Sequence, residues 1–100
     1  MAPIPLKPGV FVYPESEKES GIKGKVTFKI MIDFQGKVVD AVLVNKTGNY
    51  QIDEAAKQAA LQTTFDPQKI DPALLGGWFL YDVGVIPPAT DQDSHIDQTQ

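Results

Sequence analysis

From residue 24 the chain reads "GKVTFKIMID", with Val26, Phe28, Ile30 and Ile32 on one side of a period of two and Lys25, Thr27, Lys29 and Met31 on the other. Strict alternation of this kind predicts a strand with one face buried and one wet, as in an antiparallel sheet. In "DFQGKV", Asp33 can hydrogen-bond back onto a turn and Gly36 can take a left-handed conformation, so the chain is expected to reverse into a second strand, "KVVDAVLVN". Residues 25–45 are therefore read as a hairpin. The second strand is apolar at Val38, Val39, Ala41, Val42, Leu43 and Val44. Alternation leaves its inward face open there, and a bulge could shift its register.

The period changes on either side of the hairpin. "YPESEKES" places Pro14 at a first turn, Glu15 and Glu17 near the positive end of a helix dipole and Gly21 as a stop, predicting a helix of about two turns. "IDEAAKQAALQTTF" predicts a second helix, with Asp53 as its cap and Ile52, Ala56, Ala59, Ala60 and Thr63 as a small-residue stripe for close approach to a sheet. After the Pro- and Gly-punctuated "DPQKIDPALLGG" comes "WFLYDVGVI", a third strand. Phe79, Tyr81, Val83 and Val85 share one face, and Trp78, Leu80, Asp82, Gly84 and Ile86 share the other. Pro87 and Pro88 end it, since neither can donate to a ladder.

The order helix-strand-strand-helix-strand implies an α+β domain, a small three-stranded antiparallel-type sheet with two helices on one face. If the first strand is central, the third is an edge. Residues 1–12, with Pro3, Pro5 and Pro8, read as a proline-rich lead-in or linker, residues 13–88 as the domain, and residues 89–100 as a polar flexible tail.

Composition narrows the function. One hundred residues, 42% of them hydrophobic, suit one small core. The net charge of −4 is mostly the tail's, because Asp91, Asp93 and Asp97 leave ten acidic side chains against nine basic ones in the rest. All nine basic residues are lysine, so the arginine fork used for guanine edges and phosphate is missing, which argues against nucleic acid. The one histidine, His95, lies in the tail, and there is no cysteine. Asp33, Asp40, Asp53, Asp66 and Asp71 fall at turns, a strand surface or caps, where structure accounts for them. Ser20–Lys23 and Lys46–Gly48 fit S-x-x-K and K-T-G by chance, without the third element of penicillin-recognising enzymes. Asn45–Thr47 fits a glycosylation acceptor, a triplet too common to weigh. The reading is therefore a non-enzyme with no cofactor and no metal.

Several separate motifs, taken in order, resemble the C-terminal domain of the TonB family of energy transducers. They are Tyr13-Pro14, "GIKGKV" (21–26), the "IDFQGKVVDAVLV" hairpin (32–44), "NKTGNYQIDEAAKQA" (45–59) and Phe65-Asp66-Pro67. Thr63 departs from the pattern where many members carry tryptophan, Glu17 stands where alanine is usual, and the glutamine-rich lead into Tyr-Pro is absent. The spacer and inner-membrane anchor of a full transducer are not among these residues, as in an excised domain or a stand-alone relative.

The resemblance implies a periplasmic module that binds the TonB box of an outer-membrane transporter and transmits force derived from the proton gradient. It also implies an ExbB/ExbD-type proton-channel complex as a partner, reached through the missing N-terminal part. The residues themselves suggest how the box would be held. An edge strand can accept a peptide as a further strand, mainly through its backbone. That assigns partner binding to Trp78, Phe79, Leu80, Tyr81, Asp82, Val83, Gly84, Val85 and Ile86, with Tyr13 and Pro14 lining the groove. On packing grounds, Phe79 and Tyr81 belong to the core face and Trp78 is the aromatic left for surface or partner contact. A second reading is a structural domain that forms a homodimer through the same edge strand.

Overall fold

A computed structural model describes residues 4–88 of the chain. The tail expected at 89–100, and His95 with it, lies outside the described residues.

Three strands, β1 (Gly24–Ile32), β2 (Val38–Asn45) and β3 (Trp78–Val85), form one sheet in the order β2-β1-β3, with β1 central and antiparallel to both neighbours. The alternation in β1 is realised as read. Val26, Phe28, Ile30 and Ile32 are fully buried beneath the α-helix α1 (Tyr50–Leu61), and Lys25 and Lys29 are on the wet face. The turn also forms as expected. The Asp33 carboxylate accepts from the backbone N–H groups of Gln35 (2.8 Å) and Lys37 (2.9 Å), and those N–H groups, Lys37 foremost, hold its carboxyl below the usual aspartate range. Gly36 sits at φ +88°, and a Cβ there would lie 2.0 Å from the Phe65 carbonyl, whose residue donates its own N–H to the Gly36 carbonyl at 2.8 Å. The hairpin turn is thus laid against the segment that leaves α1.

The face of β2 is settled by packing. Only Val38 and Ala41 are buried, while Val39, Val42, Leu43 and Val44 are exposed, and the register against β1 slips twice, between Thr27 and Phe28 and between Met31 and Ile32.

Two local expectations are corrected. The first helix is a 3-10 segment, Glu15–Ser20, ending at the expected stop Gly21 and burying no residue. "ESEKES" has no apolar stripe to bury, and six residues are too few to sustain an α-helix without one. Asp53 does not cap α1. Asn49 does, accepting from the Ile52 N–H at 3.1 Å. Asp53 is buried in the first turn, where its carboxylate accepts from the Thr47 N–H (3.0 Å), the Thr47 hydroxyl (2.7 Å) and the Gly48 N–H (3.3 Å). The carboxylate therefore closes the loop leading into the helix. The predicted stripe is buried as read, from Ile52 through Ala60, with Thr63 just past the helix end.

Candidate functional site

Among the described residues, both outer strands have an edge without a strand partner, and the two edges differ in regularity. β1 and β3 pair without interruption from Gly24↔Val85 to Met31↔Trp78, so the far side of β3 presents an unbroken, regularly alternating row of backbone groups. β2 carries two register shifts, and the groove beside it contains charges of both signs: Asp40 and Glu54, Lys46 and Lys57. Bulges disturb the spacing a further strand needs. Regularity therefore makes β3 the edge better suited to take a further strand.

Each residue singled out along β3 has a clear place. Phe79 and Tyr81 are partly buried, and both meet Phe65 edge to face, at 5.7 and 6.0 Å between ring centres. Val83 and Val85 are buried. Trp78, Leu80, Asp82, Gly84 and Ile86 are exposed, Leu80 at 59% and Ile86 at 77%. The Lys29 ammonium stands 5.3 Å from the Trp78 ring centre, a cation–π contact on the open face of the sheet.

Asp82 ties β3 to β1. Its carboxylate accepts from the Thr27 hydroxyl at 2.6 Å and from Lys25 Nζ at 3.2 Å, and these bonds, Thr27 foremost, hold its carboxyl below the usual aspartate range. A depressed pKa in the folded state stabilises the fold above the ordinary value of 3.8 and is lost as pH falls through and below it. With Asp82 half exposed, the contribution is about 0.2–1 kcal/mol. We therefore expect thermal unfolding to rank wild type above Asp82→Asn at neutral pH, with the two converging as the pH drops below about 4.

Tyr13 and Pro14 sit near one end of this edge without lining its groove. Tyr13 donates its hydroxyl to the Ile22 carbonyl at 2.9 Å, and Pro14 leads into the 3-10 segment. The groove itself, about 350 Å³, has Tyr81, Asp82, Val83, Gly84 and Ile86 along one wall and Pro8, Gly9 and Phe11 along the other. Those last three were not singled out from the sequence. The alternation of Val10, Phe11, Val12 and Tyr13 was the available signal, masked by the prolines before it.

The lead-in reaches the groove because it is bonded to the segment after α1. Lys7 and Thr64 exchange backbone bonds, Lys7 donating at 3.2 Å and accepting at 2.9 Å, and the Gly9 N–H donates to the Thr63 hydroxyl at 2.9 Å. Thr63 in turn donates to the Ala59 carbonyl at 2.8 Å. At this buried position a small hydroxyl serves the lead-in.

Residues 10–73 match the family described as Gram-negative bacterial TonB protein C-terminal. Protein TonB of Vibrio cholerae is 32% identical over 59 residues, which is 59% of this chain and 24% of that protein. Protein TonB of Haemophilus ducreyi is 40% identical over 58 residues, 58% of this chain and 21% of that protein. The matches thus span less than a quarter of those relatives' length. The solved structure of the TonB2 protein from Vibrio anguillarum superposes with a TM-score of 0.56 at 27% identity, covering 83% of this chain and 81% of that one.

Proposed function

Because the chain belongs to the family of Gram-negative bacterial TonB C-terminal domains, we propose that it is the periplasmic peptide-binding module of a TonB-like energy transducer. It acts by adding the TonB box of an outer-membrane transporter to β3 as a fourth strand. The remainder of the transducer engages an inner-membrane complex of the ExbB/ExbD type, and the domain transmits proton-gradient-derived force to the transporter without catalysing a reaction.

The observation that carries this reading is the outer edge of β3, eight residues long, regular in register and bordered by a groove. Such an edge supplies affinity through backbone bonds worth about 1 kcal/mol each, so several must form together. Bonds lying across the strand direction share a pull along it, which suits a coupler. The exposed faces of Leu80 and Ile86 beside the edge would let it pair with a second copy instead.

Titrating an isotope-labelled sample with a synthetic TonB-box peptide tests the proposal. Amides of residues 78–86 are expected to move at up to millimolar peptide, and their silence would remove the strand-addition reading. Sedimentation over a concentration range addresses the homodimer. A tight dimer whose β3 amides are protected from exchange without peptide would favour self-assembly.

A further inference from the structure

Resting on that reading, we propose that Gly84 sets a specificity for the docked strand: a large apolar side chain level with it fills the notch that the missing side chain leaves between Asp82 and Ile86. Gly84 is the penultimate residue of β3 and is exposed on the open face of the sheet, where it pairs with Lys25 of β1. Glycine within a strand weakens it, having more backbone freedom to lose and no side chain to pack. Something other than the strand must then account for it.

Neither usual reason within the fold applies. Gly24, next to Lys25 on β1, sits at φ +135°, where a side chain would be strained, whereas the backbone of Gly84 is outside the left-handed region. Crowding does not call for glycine either. A Cβ on Gly9 would collide with the Ala59 carbonyl, but one on Gly84 meets no atom of the described residues within 4 Å. Position 84 could therefore carry a side chain without disturbing the domain, and the space it leaves bare is open to a partner.

The surroundings of the notch select its occupant. Asp82, Gly84 and Ile86 all line the groove beside β3. The Lys25 ammonium is drawn along the sheet to the Asp82 carboxylate at 3.2 Å, and the Thr27 hydroxyl donates to the other oxygen at 2.6 Å, so the charge nearest the notch is already offset. On the other side Ile86, 77% exposed, supplies apolar surface. A residue level with Gly84 on an added strand presents its side chain to the same face of the sheet. A ring or a branched aliphatic chain there lies over the bare backbone of Gly84 and against Ile86, as aromatic residues cover glycines on neighbouring strands. A short side chain leaves the notch empty, and a charged one is desolvated beside Ile86 without a free partner, so both are discriminated against.

Thermal unfolding and peptide titration of Gly84→Ala and Gly84→Val test this. Gly84→Ala is expected to unfold about 2–8 °C above wild type, because the strand gains a residue with less backbone freedom to lose. Gly84→Val, which fills the notch from within, is expected to bind TonB-box peptide about tenfold more weakly, the effect of no longer burying one large apolar side chain. Truncating the peptide to alanine one residue at a time is expected to reveal one position that costs wild type about tenfold in affinity and Gly84→Val about threefold at most. Unchanged affinity in Gly84→Val, the lack of such a position, or a lower unfolding temperature for Gly84→Ala would each overturn the notch. Strand addition stands in those cases if the amides of residues 78–86 move when peptide is added to wild type, and falls as well if they do not. Should Gly84→Val fail to fold, the same peptide scan on Gly84→Ala, whose methyl group occupies part of the notch, decides the matter.

Discussion

Proline at position 82 or 83 is expected to reduce binding of a TonB-box peptide by more than tenfold, while alanine at the same positions leaves a measurable affinity. Proline removes the N–H and fixes φ near −65°, far from strand values. In a strand, successive N–H groups point to opposite edges, so of Asp82 and Val83 one donates toward β1 and the other toward the groove. The two substitutions should therefore separate. One loosens the β1–β3 ladder and lowers the unfolding temperature, and the other leaves the sheet in place and disables the outer edge. Alanine retains both donors. Asp82→Ala gives up the contacts to Thr27 and Lys25, and Val83→Ala removes part of a buried side chain. Peptide titrations paired with thermal unfolding resolve the four variants. If both proline variants fold and bind as wild type does, the edge of β3 is not the docking site.

Phe28→Ala is expected to be the most damaging single truncation, by about 3–5 kcal/mol. Phe28 is among the largest fully buried side chains and is carried by the one strand with neighbours on both sides. It pairs with Leu43 on β2 and Tyr81 on β3, and its ring belongs to the core that Ile52, Ala56 and Ala59 of α1 complete. Alanines on the facing helix have little volume with which to fill the space left behind, so collapse around the cavity is limited. Domains of this size hold about 5–15 kcal/mol in total, so the variant should be marginal. Denaturant unfolding should show a sharply lower midpoint, against a change within about 0.5 kcal/mol for Val39→Ala on the exposed side of β2. A small effect at Phe28 would mean that the sheet–helix core is not the main source of stability.

The groove beside β3 shows how far local pattern reaches. The strand's two faces followed from alternation, and Phe79 and Tyr81 turn toward Phe65 as their spacing required. Its status as an edge depended on β1 being central, which no spacing in the strand expresses. The opposite wall depended on bonds between Lys7 and Thr64 and between Gly9 and Thr63, residues more than fifty positions apart. The prolines at 3, 5 and 8 pointed to an extended lead-in, and nothing local to them indicates that the chain just beyond is bonded to the end of α1.

Features decided within a few residues were legible in the chain itself. These are the alternation of β1 and β3, the Asp33–Gly36 turn, the small-residue stripe of α1 and the stop at Gly21, each fixed by the conformational limits and polarity of neighbouring side chains. Features decided by competition for burial and for hydrogen-bond partners were not. The inward face of β2 was chosen by which of its many apolar residues reached α1, and the first helix tightened to 3-10 for want of an apolar face. Asp53 lost the cap position to Asn49 because its carboxylate was better used by the N–H and hydroxyl groups of the loop before it. The groove itself exists only because two distant segments are brought side by side, and that is a property of the packed chain.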